Sequence, residues 1–432
     1  MSKKICIDGH NLARQHGTGV ATYARNLANT LGSLGHEVHT LYGAPISPRT
    51  PALLREVLFY DYLGGASVNR TTWDSALQYV REAIRAPFGA HAFPIDVSGN
   101  VERRRFTYRL PDSSRIFNSD NLFNVARAYF KRHRKFLEVR FDDPPDVMHW
   151  TYPLPVRVAG VPNIYTIHDL VPLRLPYTTL DNKKFYYRLI KKCLETSDRI
   201  CTVSEQSKTD IETLFSVKRD LVVNTYQSVE IPNALTSKGD DEIQAEIRGI
   251  YGLEPQGYIL FFGAIEPKKN VGRLIEAYLS THLRAKLVIA GSLAWQSEDE
   301  MKLYTSLLKQ DPTLKSRIQL IGYAPYSLLI SLIRGAKAIA FPSLYEGFGL
   351  PVLEAMQLGV PTLCSGESSL PEIAGNASRF VDPYDVASIA RGLRDLDEDP
   401  DLRAELSARG KEQAKKFDAL NYRRALESLY RF

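Results

Sequence analysis

Cysteines, long apolar runs and metal-binding spacings are all scarce in this sequence of 432 residues. The four cysteines, Cys6, Cys193, Cys201 and Cys364, are scattered without the spacing of a metal site or a redox pair. Their surroundings are mostly apolar, which indicates buried free thiols in a reducing compartment such as the cytoplasm. The pattern excludes a small secreted domain that is held together by disulfides.

Internal repeats, low-complexity tracts and apolar runs of membrane-spanning length are also missing. The N-terminus resembles a first strand and lacks the apolar core of a secretion signal. The hydrophobic fraction of 44% and the charged fraction of 24% are those of a soluble globular protein. At this length the chain can form two large domains, so we expect a two-domain cytoplasmic protein.

The net charge of +6 is concentrated in one window of the sequence. Between residues 101 and 140, eleven Lys or Arg stand against four Asp or Glu, so this window carries +7 and the rest is nearly neutral. Basic and aromatic residues are mixed there, as in the segment from Tyr129 to Phe136. A solvated helix face and a patch that binds an anionic membrane surface both fit this composition. Nucleic acid fits least, because no nucleic-acid module is recognisable elsewhere.

The most informative stretch runs from Phe341 to Gly375. A short apolar strand pattern leads into a glycine-rich turn that contains Glu346, and a helix with Pro351 in its first turn follows. Glu354 falls about one turn inside that helix. Because a helix start favours anions, two carboxylates and a phosphate site should face one crevice at the carboxyl edge of a parallel sheet. On spacing alone, surface glutamates in an ordinary α/β turn remain an alternative.

The motif from Glu346 to Glu354 (EGFGLPVLE), with Gly359-Val-Pro-Thr and Leu370-Pro-Glu-Ile after it, resembles the E-x7-E motif of retaining glycosyltransferases of family 4. The resemblance implies the GT-B fold, an α/β fold in which two Rossmann-like domains with parallel sheets face each other across a cleft. We therefore expect an acceptor-side domain over 1–238, with an irregular basic and aromatic insertion at about 45–143. A polar linker at about 236–256, a nucleotide-sugar-binding domain over 256–412, and a C-terminal helix at 413–432 that packs back on the first domain should follow.

Two further segments resemble the same family. Thr166-Ile-His168-Asp-Leu-Val-Pro is similar to a segment whose histidine touches the donor sugar in mannosyl- and rhamnosyl-type members. Glu266-Pro-Lys-Lys-Asn is similar to a segment whose second basic residue, here Lys269, grips the donor diphosphate. Ala264 stands where members often have an arginine, and Lys268 is the candidate replacement.

The resemblance implies specific roles for these residues. His168, Glu346 and Lys269 would be catalytic, with Glu346 on the sugar hydroxyls, and Glu354 would bind the ribose. Gly17 and Gly19 match the family's N-terminal glycine loop, and Tyr323 lies where members hold the base. The complete set expected to bind the donor is Gly17, Gly19, Lys268, Lys269, Tyr323, Glu346, Gly347, Phe348, Gly349, Leu350 and Glu354.

Neither a cofactor nor a metal is expected. Some glycosyltransferases hold a metal with an Asp-x-Asp motif, but here that pattern begins only at Asp395, in a late helical segment that we expect on the surface. The lysines, the glycine N–H groups and the helix N-terminus would neutralise the leaving diphosphate instead.

The segment variants are most similar to those of bacterial mannosyltransferases of O-antigen and exopolysaccharide assembly. We therefore expect transfer of a hexose, mannose from GDP-mannose, to a glycan or polyprenyl-linked glycan at the inner face of the cytoplasmic membrane. The donors dTDP-rhamnose, GDP-fucose and UDP-sugars stay open, as does an inactive scaffold that binds a sugar nucleotide, which Ala264 favours. A UDP-sugar 2-epimerase would need other carboxylates and histidines, and a phosphorylase would need a much longer chain.

Overall fold

The computed structural model describes residues 2–14, 19–65, 89–106, 110–217, 220–311 and 314–431, so Gly17 lies outside the described residues. In the N-terminal half the strands are β1 (Lys4–Asp8), β2 (Glu37–Tyr42), β3 (Ala90–His91), β4 (Phe93–Ile95), β5 (Arg115–Asn118), β6 (Leu137–Arg140), β7 (Val147–Trp150), β8 (Val156–Val158), β9 (Asn163–Thr166), β10 (Arg199–Thr202) and β11 (Val222–Asn224). In the C-terminal half they are β12 (Tyr258–Phe262), β13 (Lys286–Ala290), β14 (Ile318–Ile321), β15 (Ala338–Phe341), β16 (Thr362–Ser365) and β17 (Ser378–Val381).

Each half is built on a parallel sheet. In the described residues, the N-terminal sheet has the order β11-β10-β9-β7-β1-β2-β5-β4, with only β4 and β5 antiparallel, and β3-β6-β8 form a small parallel sheet. The C-terminal sheet has the order β14-β13-β12-β15-β16-β17 and is parallel throughout. Strands such as β12, with five buried residues, are apolar without alternation because helices cover both faces of the sheet. This is the doubly wound α/β architecture that the sequence predicts.

The helices connect successive strands and cover the sheets. They are α1 (Gly19–Ser33), α2 (Ala52–Gly64), α3 (Leu122–His133), α4 (Val171–Arg174), α5 (Lys183–Thr196), α6 (Glu205–Leu214), α7 (Asn233–Thr236), α8 (Asp240–Tyr251), α9 (Val271–Leu279), α10 (Ser297–Gln310), α11 (Leu314–Arg317), α12 (Tyr326–Gly335), α13 (Leu350–Gln357), α14 (Leu370–Ala374), α15 (Val386–Glu398), α16 (Pro400–Ala414) and α17 (Ala419–Leu429). Short 3-10 helices occur at Arg104–Phe106, Pro176–Thr178, Pro267–Lys269 and Lys415–Phe417. Within the described ranges, no helix has both the length and the apolar character needed to cross a bilayer.

The polar linker predicted at 236–256 is wrong for most of its length, because α8 occupies it. Ile243 and Ile247 lie four residues apart on one face of this helix and are buried, Ile247 within an apolar cluster of the C-terminal half. The acidic residues that made the stretch look solvated occupy the first turn, where the helix dipole favours them. The C-terminal half therefore begins before residue 256.

The C-terminal helix packs back on the N-terminal half, as predicted. Leu426 and Leu429 of α17 are fully buried, and the Lys3 ammonium donates to the carbonyl of Tyr430 over 2.7 Å. Before this helix, the Phe417 ring meets Tyr226 of the first half and Phe348 of the second half edge-on, at 5.3 and 5.6 Å. The end of the chain thus connects the apolar cores of the two halves.

All four cysteines are buried and unpaired, in agreement with the sequence prediction. Burial raises the pKa of the Cys6 and Cys193 thiols well above the ordinary value. These thiols therefore behave as small apolar core residues.

Candidate functional site

The turn between β15 and α13 holds the first carboxylate of the site. Gly349, with φ +104°, turns the chain into the helix, a conformation that side-chain-bearing residues rarely adopt. Hydroxyl groups hold the rest of the turn: Ser365 donates to the Ser343 carbonyl over 2.6 Å, and Ser369 lies 3.0 Å from the Glu346 carbonyl. These bonds fix the backbone that carries Glu346.

Glu346 forms a buried ion pair with Lys269. The Lys269 Nζ lies 2.6 Å from Glu346 Oε1 and 4.9 Å from the centre of the Phe341 ring. The Asn270 side chain anchors the lysine segment, because its amide donates to the carbonyls of Pro342 and Pro383 over 3.0 and 2.7 Å. Two loops at the same edge of the C-terminal sheet are thereby joined.

The charges around this pair are balanced. Burial raises the pKa of Glu346, but the charges of Lys269 and Lys268 outweigh it and bring that pKa below the ordinary 4.5. Burial lowers the pKa of Lys268, but the carboxylates of Asp169 and Glu346 outweigh it and leave that pKa above 10.5. Glu346 is therefore a carboxylate and Lys268 an ammonium at neutral pH.

His168 reaches the same place from the N-terminal half. Its Nε2 donates to the Thr151 carbonyl over 2.9 Å, and its ring meets Tyr23 edge-on at 4.8 Å. Because Nε2 carries the proton, Nδ1 is the acceptor of this ring. Burial lowers the pKa of His168 from 6.5, so the imidazole is neutral at pH 7.

The backbones of the two halves are in direct contact beside these groups. A Cβ placed on Gly347 would lie 2.5 Å from the His168 carbonyl oxygen, so the contact requires glycine at this position. The charges of Lys268 and Asp169 also act on the His168 imidazole. The structure thus brings His168, Lys268, Lys269 and Glu346 together in one cleft between the halves.

The second carboxylate lies on α13. Glu354 is half-buried, and among the described residues its side chain has no hydrogen-bond partner. Burial raises its pKa to about 7. Near the start of α13, Leu350 Cδ1 lies 3.8 Å from the position of a Cβ on Gly19, the first residue of α1. The N-termini of one helix from each half therefore face each other across the cleft, where both favour an anion.

Three further side chains of the predicted segments lie in different surroundings. The Phe348 ring packs in the core against Phe417, so only the backbone of Phe348 faces the turn. Tyr323 follows β14 and is 74% exposed, without a ring partner among the described residues. Asp397 is buried beside Lys337 at 2.6 Å and is no surface group, because an internal lysine requires a carboxylate there.

Three residues near the site carry little signal in the sequence, because their role depends on contacts between the halves. The carboxylate of Asp169 raises the pKa of Lys268, and its only sequence signal is its position next to His168. Tyr152 is half-buried and close enough for the charges of Asp169 and Lys268 to act on it. Ser204 caps α6 and also contacts the turn of the other half.

Two family models match the chain and between them cover both halves. The model described as Glycosyltransferase Family 4 matches residues 17–226, and the model described as Glycosyl transferases group 1 matches residues 243–413. The boundary between the two matches falls in the segment around α7 and the start of α8.

Several curated relatives are mannosyltransferases. The chain is 34% identical to O-antigen chain mannosyltransferase B of Escherichia coli over 59% of this chain and 66% of the relative. It is 30% identical to the serotype-specific mannosyltransferase WbdA of Escherichia coli over 63% of this chain, which spans only 34% of WbdA. It is 25% identical to the MMP alpha-(1->4)-mannosyltransferase of Mycolicibacterium hassiacum over 93% and 91% of the two chains.

Solved structures of glycosyltransferases share the complete architecture. Anabaena HepE in complex with UDP-glucose superposes with a TM-score of 0.67 over 100% of both chains at 13% identity. Sucrose-phosphate synthase of Thermosynechococcus elongatus superposes with a TM-score of 0.64 over 99% and 98% of the chains at 18% identity. At these identities the likeness confirms the fold, which is GT-B.

Replacing Glu354 by Gln should change the pH dependence of stability. Because the pKa of this carboxyl is about 7 in the folded chain and 4.5 ordinarily, the folded chain binds more protons between these values. Wild-type stability therefore falls as pH rises from 4.5 to 7, and the cost of the buried charge is complete above pH 7. The neutral variant should be more stable by about 3 kcal/mol at pH 8 and nearly equal to the wild type near pH 4.5.

Urea unfolding at pH 5 and pH 8 measures this difference. The matched control is Glu398→Gln, which changes an exposed glutamate of α15. An equal effect of Glu354→Gln at both pH values would contradict the assignment of a raised pKa to this carboxyl.

Proposed function

The chain belongs to the glycosyltransferases of family 4, also described as group 1, and from this premise we propose that it transfers mannose from GDP-mannose to a glycan or polyprenyl-linked glycan acceptor. The observation that carries the proposal is the cleft in which Lys268, Lys269 and Glu346 of one half meet His168 of the other. The mannosyltransferase relatives support mannose as the sugar, and the relatives of O-antigen synthesis support a role in cell-surface polysaccharide assembly. In this proposal the enzyme works at the inner face of the cytoplasmic membrane.

We propose that the donor lies with its diphosphate at the N-terminus of α13 and beside the two lysines. The bond between the sugar C1 and the oxygen of the β-phosphate breaks while the acceptor oxygen bonds to C1 from the same face, which retains the configuration. The acceptor proton passes to the departing phosphate. Glu346 and His168 Nδ1 hold sugar hydroxyls, and the charges of Lys268 and Lys269 stabilise the diphosphate as negative charge develops on it.

Ala264 stands where family members often have an arginine. In this proposal Lys268 supplies the missing positive charge beside the diphosphate. Two cations still lie beside the diphosphate position, because Lys268 is held among Asp169, Glu266 and Glu346. Its Nζ lies 3.7 Å from Glu266 Oε1. The ammonium is therefore charged and already positioned before a ligand arrives, which is the requirement for electrostatic stabilisation of a transition state.

We also propose that the exposed basic residues of the window 101–140, together with those of helix α5, face an anionic membrane surface. Helices α3 and α5 are in contact, since Phe130 meets Phe185 at 5.5 Å and Arg127 lies 5.6 Å from the same ring. Both helices expose basic side chains, which are Arg127, Lys131, Arg132, Lys184, Arg188 and Lys191, with Arg134 and Lys135 following α3. Tyr187 is 43% exposed among them. Basic groups with interleaved aromatic rings are the composition that binds anionic headgroups.

The donor should be identified by a thermal-shift screen of the full chain. GDP-mannose and GDP should raise the melting temperature, because a ligand that binds only the folded state stabilises it by mass action. GDP-fucose, dTDP-rhamnose and UDP-sugars are the competing ligands. Lys269→Ala should abolish the shift, whereas Lys302→Ala, an exposed lysine of α10, should retain it.

A rise in melting temperature with another nucleotide class, and none with GDP-mannose, would contradict GDP-mannose as the donor.

Replacing Glu346 by Gln should lower the rate of sugar transfer by about a hundredfold or more, while binding of GDP persists. A Glu346→Gln variant that keeps its full function in cells would indicate an inactive scaffold and contradict the proposed enzymatic activity.

Transfer should continue in EDTA at nearly the rate seen with added magnesium. In the proposed mechanism the charges on the diphosphate are met by Lys268, Lys269 and a helix N-terminus, so a divalent cation has no necessary part. The measurement is the initial rate of mannosyl transfer in chelator and after magnesium addition. Complete loss in chelator that magnesium restores would overturn the metal-free mechanism.

Neutralising the basic side chains of the window 101–140 should release the protein from anionic vesicles. The variant replaces six exposed residues by Gln, namely Arg103, Arg104, Arg105, Lys131, Arg132 and Arg134. The control replaces six exposed basic residues of the C-terminal half, namely Lys302, Arg391, Arg394, Lys411, Lys416 and Arg424. Co-sedimentation with phosphatidylglycerol vesicles should fall by about tenfold or more for the first variant only, since each basic group near the surface contributes roughly 1 kcal/mol. Equal binding of both variants would contradict the membrane face.

A further inference from the structure

Helix α6 of the N-terminal half contacts the turn between β15 and α13 of the C-terminal half through two buried hydroxyl groups. Ser204 Oγ donates to the Gly347 carbonyl over 2.7 Å, and Ser207 Oγ donates to the His168 carbonyl over 2.8 Å. Both serines are fully buried, and the Ser207 N–H donates to Ser204 Oγ over 3.1 Å. Two adjacent hydroxyls therefore connect the backbone that carries His168 with the backbone beside Glu346.

A second contact lies one and a half turns further along the same helix. The Tyr345 hydroxyl donates to the Asp210 carboxylate, and both residues are buried. Arg174 Nε lies 3.6 Å from Asp210 Oδ1 and supports the charge of that carboxylate. Tyr345 immediately precedes Glu346, so this contact fixes the other side of the same turn.

A third contact occupies the start of α6. The Glu372 carboxylate, from α14 of the C-terminal half, accepts from the backbone N–H groups of Glu205 and Gln206 over 2.9 and 3.3 Å. A carboxylate at this position satisfies free donors and interacts favourably with the helix dipole. The N-terminus of α6 is thus completed by a residue from the opposite half of the protein.

These contacts act at a point where the two halves are in direct contact. A Cβ placed on Gly347 would lie 2.5 Å from the His168 carbonyl oxygen, so the two backbones are in close contact. This contact fixes the distance between His168 and Glu346. The serine hydroxyls bind both carbonyls that form it. A small opening of the cleft would break these hydrogen bonds together.

We propose that Ser204, Ser207, Asp210 and Tyr345 form an interdomain clasp that positions His168 against Glu346 and keeps the cleft closed. They are positioning residues, since they act through the backbone of the site and do not touch the donor. The catalytic consequence rests on the proposed function, whereas the closure of the cleft does not. Each hydrogen bond contributes about a fivefold change in the ratio of closed to open molecules.

The test compares Ser207→Ala, Tyr345→Phe and the double variant with the wild type. The matched controls remove hydroxyl-to-carbonyl bonds inside the C-terminal half: Ser407→Ala, which loses the bond to Gly359, and Tyr258→Phe, which loses the bond to Leu332. Small-angle X-ray scattering of the full chain with saturating GDP measures closure. Initial rates with GDP-mannose give kcat and KM, and calorimetry gives the Kd of GDP.

The double variant should scatter as a more open molecule and lose kcat by about tenfold or more, while its Kd for GDP stays within about twofold of the wild type. The controls should change neither closure nor kcat. An unchanged scattering profile, or a loss of GDP affinity as large as the loss of kcat, would overturn the clasp. If Ser207→Ala fails to fold, Tyr345→Phe alone decides, because its ring stays in place. If the wild type transfers no sugar, the proposed function fails, and scattering alone then decides the clasp.

Discussion

The site depends on the burial of the Lys269–Glu346 ion pair. Taking two opposite charges out of water is costly, and it is tolerated only when each finds a partner at short distance. The 2.6 Å contact meets that condition, and Lys268 with Asp169 and Glu266 extends it to a balanced group of charges. Removing one member leaves an uncompensated charge in a closed cleft, so these residues are energetically coupled.

The fold supplies the positions that this charge arrangement requires. In the C-terminal half, all strands of the sheet are parallel, so the loops after β12 and β15 open at the same edge and bring Lys269 and Glu346 together. His168 follows β9 at the corresponding edge of the N-terminal sheet. Because the edges face each other, a histidine and a glutamate that lie far apart in sequence share one cleft.

Closure of that cleft is held largely by uncharged groups. Serine hydroxyls and a tyrosine hydroxyl connect the halves with short bonds to carbonyls and one carboxylate. Such bonds are directional and individually weak, so several can break together when the cleft opens. Phe417 also connects the two halves, since its ring contacts Tyr226 of the first half and Phe348 of the second half.

The sequence alone determined the α/β fold class and the short motifs, because apolar strands, glycine turns and carboxylate spacing are local patterns. The family followed from the resemblance of those motifs to known ones. The sequence predicted that Glu346, Lys269 and His168 belong to one site, which the structure brings together. Local composition misled where burial decides. The charged stretch at 236–256 contains helix α8, which has an apolar face, and Asp397 is a buried partner of Lys337. Only the tertiary structure decided the interdomain contacts of Ser204, Ser207 and Tyr345, because the partners of these groups lie in a different half of the chain and no local pattern encodes them.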